Sequence, residues 1–256
     1  MRPARAALLA AGALLAALGG AAVLSWLGER AAPSPPAPPT APPPAPAPER
    51  VFARASPSVV TVYAAERSGR IVGRASGVVV EPDLVVTTCH AVARANVLLL
   101  AHRGKQVRGR LAAYDAARDL CMLHASGLDA VPARIGSAAT LRIGQRVYAI
   151  GTPEGFELTL SEGLVSGLRE TEAGRYIQTT APLSEGSSGG GLFDETGSLV
   201  GIAAFVYSSG QNLNFAAPAE WALELARKVS RRPGAAPEEV ELPAALAKSW
   251  RPPLLR

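Results

Sequence analysis

The chain has 256 residues, 48% of them hydrophobic, with a formal net charge of +5. Beyond the first 50 residues, about 200 have a globular composition, enough for one sizeable core or for two modest barrels sharing an interface. The 26 Lys and Arg residues form no dense run with interleaved aromatics, which argues against a nucleic-acid partner; two cysteines without a Cys-x-x-Cys exclude a cysteine-only zinc site.

Arg2 and Arg5 precede a run of 22 apolar or small residues at 6–27. As a helix it would span about 33 Å, close to the ~30 Å hydrocarbon core of a bilayer. Arginines before the run favour a cytoplasmic N-terminus. Two readings stand: an uncleaved signal anchor, or a signal peptide cleaved after a small-x-small site such as Gly20-x-Ala22. Apolar character continuing through Val23, Leu24, Trp26 and Leu27 favours the anchor, with residues 1–30 supplying one N-terminal membrane helix. Residues 31–49 then form a linker. Ten of the sixteen residues at 33–48 are proline, a composition that favours polyproline II and a semi-rigid spacer of about 50 Å. The remainder would then emerge on the other side of the membrane, or be secreted if the leader is cleaved.

From residue 51 onward, short stretches rich in Val, Ile and Tyr alternate with turn signals such as Glu81-Pro82-Asp83 and Glu195-Thr196-Gly197. Strands are expected at 59–63, 71–80, 84–87, 97–100, 147–150, 199–206 and 213–215. The pattern is that of an all-β sandwich or barrel. Helix is expected at 217–229, with Pro218 in its first turn, Glu220 near its start and Arg227-Lys228 near its end to suit the dipole. A second short helix is expected at 90–95. Residues 231–256, rich in Arg, Pro and Glu, read as a loosely ordered tail.

The chemistry concentrates in Gly186-Ser187-Ser188-Gly189-Gly190-Gly191. Such a stretch is either a flexible turn or a nucleophile turn. Glycines permit the tight backbone that exposes a serine Oγ and aims N–H groups at a developing oxyanion. In the second reading those groups are the N–H of Gly186 and of Ser188. A serine nucleophile needs a base. Of the three histidines, His90 follows an apolar strand and is well placed, whereas His102 reads as a turn residue and His124 as a surface connection. An imidazole base needs a third group to hold its tautomer. Asp119, entering the apolar stretch Leu120-Cys121-Met122-Leu123, is the candidate; Asp115 lies in a loop-like context.

The order His90, Asp119, Ser188 resembles that of chymotrypsin-like proteins and differs from the subtilisin and α/β-hydrolase orders. The local sequences look like the HtrA/Deg branch. Thr87-Thr88-Cys89-His90-Ala91-Val92 resembles its Thr-Asn-x-His-Val-Val, and Asp119-Leu120-Cys121-Met122-Leu123 its Asp-Leu-Ala-Val-Leu. Ile150-Gly151-Thr152-Pro153-Glu154-Gly155 is similar to Ile-Gly-Asn-Pro-x-Gly, Gly163-Leu164-Val165-Ser166 to Gly-Ile-Val-Ser, and Ile177-Gln178-Thr179-Thr180-Ala181 to Ile-Gln-Thr-Asp-Ala. Gly186-Ser187-Ser188-Gly189-Gly190 resembles Gly-Asn-Ser-Gly-Gly, and Asn214-Phe215-Ala216-Ala217-Pro218 the closing Gly-Phe-Ala-Ile-Pro.

The resemblance implies a double six-stranded β-barrel with a C-terminal helix over residues 50–230. It implies a serine endopeptidase acting on envelope proteins or peptides, with the triad His90, Asp119 and Ser188 and no metal or organic cofactor. By the same resemblance, Pro182, Leu183, Leu213, Asn214 and Phe215 line the first specificity pocket. None is acidic, so a small or medium apolar side chain is expected at the cleaved bond. Ser187 and Gly191 depart from the family's Asn and Pro without removing a catalytic group. With 38 residues after Pro218, no PDZ domain is expected. If His90 and Asp119 meet, Cys89 and Cys121 are neighbours, as a disulfide suited to an oxidising compartment or as two buried thiols. The rival readings are a binding scaffold on the same fold and an esterase.

Overall fold

The structure is a computed structural model and describes residues 48–153, 158–207 and 211–230. The expected membrane helix, most of the linker and the tail lie outside the described residues. Among the described residues no helix is long and apolar enough to cross a membrane.

Strands β1 (Val59–Ala65), β2 (Ile71–Glu81), β3 (Leu84–Thr88), β4 (Val97–His102), β5 (Lys105–Asp115) and β6 (Leu120–His124) close into a barrel in the order β1-β2-β3-β6-β5-β4. Strands β7 (Arg146–Gly151), β8 (Thr159–Thr171), β9 (Gly174–Thr179), β10 (Gly191–Asp194), β11 (Leu199–Val206) and β12 (Asn214–Pro218) close a second, in the order β7-β8-β9-β12-β11-β10. Adding six to each label of the first order yields the second, so the barrels share one topology.

Period-2 alternation decides where each side chain goes. In β6, Cys121 and Leu123 fill the first barrel, while Leu120 and Met122 point into a core between the barrels. In β7, Val147 and Ala149 fill the second barrel, while Tyr148 and Ile150 join the same shared core. Strands buried on both faces lose the apolar–polar alternation of a half-exposed strand. That is why they read as continuous apolar runs. Full burial of a side chain such as Leu120 or Met122 contributes about 1.5–3 kcal/mol each.

Three α-helices and two single-turn 3-10 helices (Ser56–Ser58 and Ala138–Thr140) complete the described fold. Helix α1 (Pro48–Ala55) packs Val51 and Ala55 into the shared core, so Pro48 and Glu49 are helical rather than linker. Helix α2 is Cys89–Val92 and α3 is Ala219–Ser230. Pro218 pairs with Gly201 as the last residue of β12, instead of opening the helix; without an N–H it suits the end of a ladder. Trp221 of α3 meets Tyr176 edge-on at 5.1 Å. The Arg118 guanidinium lies 4.5 Å above the Trp221 ring and pairs with Glu224 at 2.6 Å. Arg118 thereby ties the turn before β6 to α3.

Candidate active site

β3 delivers the chain to α2, which places His90 in the first turn of that helix with its side chain one-third exposed. Asp119 occupies the turn before β6 at φ +55° and is 1% exposed. Aspartate tolerates this left-handed conformation better than most residues. The two segments are joined three times. Cys89 N–H donates to Asp119 O at 3.0 Å, and His90 N–H donates to Asp119 Oδ1 at 2.9 Å. His90 Nδ1 lies 2.5 Å from Asp119 Oδ2. One carboxylate thus grips both the backbone and the ring of His90, fixing the imidazole plane. Cys89 and Cys121, both buried, form a disulfide beside this pair.

Ser188 is half-buried on a loop of the second barrel. Ser187 N–H donates to Ser184 O at 3.0 Å and Gly190 N–H to Ser187 O at 2.9 Å. Ala203 of β11 grips the following glycines, accepting from Gly189 N–H and donating to Gly190 O, each at 2.8 Å. Gly186 and Gly189 have φ of +86° and +83°. A Cβ at Gly189 would sit 2.2 Å from Ser76 O and 2.4 Å from Thr87 Oγ1. The loop therefore packs, glycine first, onto β2 and onto the β3 end three residues before His90. Among the described residues, the N–H groups of Gly186 and Ser188 donate to no protein acceptor.

A cavity of about 120 Å³ adjoins this loop, lined among others by Pro182, Leu183, Ser187, Ile150, Thr159 and Ala203. It has the volume of about four waters and no acidic group among its described lining residues. Leu213, Asn214 and Phe215 do not line it. β12 is paired on both edges, with β9 and β11, and its Asn214 and Phe215 are buried. Asn214 instead donates its side-chain amide to Ala181 O at 2.9 Å, anchoring the start of the loop. His102 is not a turn residue: it ends β4, is 4% exposed, and sets Nδ1 3.1 Å from Val59 O. Thr87 and Thr152, buried beside the loop, lie within motifs that carry the resemblance, whereas the buried Ser76 escapes sequence reasoning because an isolated Ser in an apolar stretch carries no signature.

Two closed barrels of one topology, with a His–Asp pair on the first and a glycine-cradled serine on the second, define the chymotrypsin-like double-barrel class. The chain belongs to the trypsin-like peptidase domain family, whose model matches residues 75–202, and is HtrA-like within it. It is 32% identical over 164 residues to a probable periplasmic serine endoprotease DegP-like of Pseudomonas fluorescens, an alignment covering 60% of this chain and 34% of that protein. The chain thus spans about a third of that relative's length. Among solved structures, a serine endoprotease from Yersinia pestis superposes with a TM-score of 0.63 at 30% identity, covering 72% of this chain and 66% of the other. The HtrA-type protease AlgW with a tripeptide gives 0.66 at 28% identity, covering 72% and 64%.

Proposed function

We propose that this chain is a serine endopeptidase cleaving envelope proteins or peptides through an acyl-enzyme on Ser188. The observation that carries the reading is the buried Asp119 carboxylate aligned on the His90 backbone and ring, with the Ser188 loop packed on the strand that leads to His90. Ser188 Oγ attacks the scissile carbonyl. His90 takes the hydroxyl proton through Nε2 and returns it to the leaving amine. Asp119 keeps Nδ1 protonated and stabilises the imidazolium. The Gly186 and Ser188 N–H groups receive the negative charge on the carbonyl oxygen. Water then repeats the sequence on the ester.

A peptide substrate is supported by the tripeptide held by AlgW and by the endoprotease names of the relatives. The small cavity without acidic lining supports a small or medium apolar side chain at the cleaved bond. Residues 1–30 serve as the membrane anchor, 31–47 as the spacer and 48–230 as the protease domain, on the periplasmic side of the inner membrane. The 22-residue apolar run, the prolines, the buried disulfide and the periplasmic relative support this placement.

Casein digestion by the full chain and by its Ser188→Ala variant tests the function. Cleavage by the wild type and none above background by the variant is expected. Equal cleavage by both would remove Ser188 from the chemistry, and casein bound but uncut by the wild type would favour the scaffold.

A further inference from the structure

We propose that Ser76 is a positioning residue for acyl transfer, clamping the Ser188 loop in the conformation that presents its oxyanion donors. The proposal rests on the reading of Ser188 as nucleophile. Ser76 lies in β2 of the first barrel, and the loop it holds belongs to the second.

Ser76 is 0% exposed. A hydroxyl so placed is costly unless its hydrogen bonds are made, and here they are. Its Oγ donates to Gly186 O at 2.7 Å and accepts from Thr152 N–H at 2.8 Å. Its backbone N–H donates to Ser188 O at 2.9 Å, and its carbonyl accepts from Thr87 Oγ1 at 2.7 Å. The hydroxyl also lies 3.3 Å from Thr152 Oγ1, but Gly186 O, which can only accept, is the nearer partner at 2.7 Å and takes the single hydroxyl hydrogen. The fit depends on two glycines: a Cβ at Gly151 would sit 2.8 Å from Ser76 Oγ, and one at Gly189 2.2 Å from Ser76 O.

Three consecutive carbonyls of the loop are held. Gly186 O accepts from the Ser76 hydroxyl, Ser187 O from Gly190 N–H, and Ser188 O from Ser76 N–H. A peptide's C=O and N–H point in opposite directions, so an inward Ser187 carbonyl turns the Ser188 N–H outward. The two bonds from Ser76 fix the peptide planes on either side of that donor. Gly186 needs the lock most, since its missing side chain leaves its backbone torsions soft. Without the hydroxyl, the Gly186–Ser187 plane is free to rotate beside the second donor, the Gly186 N–H. A residue acting this way changes transition-state stabilisation more than substrate affinity.

The test uses the full chain with a fluorophosphonate probe, in which Ser188 Oγ forms a P–O bond and fluoride leaves. Labelling rate is measured against probe concentration for the wild type, Ser76→Ala and Ser76→Cys, with melting temperature alongside. The thiol still fills the site, with a sulfur larger than the oxygen, but is a weak donor and acceptor, so it serves as the second variant if the alanine variant does not fold. Expected is a fall of about 100-fold in the maximal labelling rate, with the half-saturating probe concentration within about 3-fold of wild type. A folded variant with wild-type maximal rate and only a lowered melting temperature would overturn the clamp. A wild type that does not label would sink the nucleophile reading and the clamp together. A wild type that labels while both variants label equally fast would sink the clamp alone.

Discussion

Replacing Cys89 and Cys121 together by alanine removes a cross-link between residues 32 apart in the chain. In the chain-entropy account a closed loop of this size stabilises the fold by about 3.7 kcal/mol at 25 °C. For a domain of about 180 residues each kcal/mol is worth about 2–4 °C, so the melting temperature should fall by about 7–15 °C. Activity at 25 °C should suffer far less. The Cys89 N–H to Asp119 O bond and the two His90 bonds to the Asp119 carboxylate do not pass through the sulfur atoms. Differential scanning calorimetry of the double variant and the wild type, with casein cleavage at 25 °C, checks both halves. An unchanged melting temperature would refute the stabilising role. A melting drop accompanied by loss of cleavage in the still-folded variant would refute the independence of the His90–Asp119 pair from the bridge.

Asp119→Asn keeps the size of the side chain but lets its amide face Nδ1, favouring the wrong imidazole tautomer; turnover of casein should fall about 10⁴-fold with the melting temperature little changed. Gly189→Ala forces a Cβ to 2.2 Å from the Ser76 carbonyl in a left-handed backbone conformation. It should destabilise the domain by more than about 2 kcal/mol in urea denaturation and abolish labelling of Ser188; a Gly189→Ala chain with normal stability and activity would show that the loop need not pack on β2.

Much of the fold is legible in the sequence because strands buried on both faces carry continuous apolar character, as Leu84, Val85 and Val86 do in β3. β5 and β8 are harder. β5 carries Lys105, Arg108 and Arg110, and β8 carries Glu162, Arg169 and Glu170, so their exposed faces mask a ladder that only the barrel partners complete. The His90–Asp119 contact is anticipated by the resemblance, and so is the neighbourhood of Cys89 and Cys121. The placing of Leu213, Asn214 and Phe215 is not, because which strand borders a cavity depends on both pairing partners of β12, β9 and β11. Ser76 is invisible in sequence for a similar reason: its partners Thr152 and Gly186 lie 76 and 110 positions away, and only closure of the second barrel brings them together.

The central claim is that Ser188 is a nucleophile activated by His90. Mass-spectrometric mapping of the fluorophosphonate adduct in the full chain tests it most directly. The account predicts one adduct, on the peptide containing Ser188, absent from the His90→Ala variant. No adduct on the folded wild type, or an adduct formed as fast without His90, would contradict it.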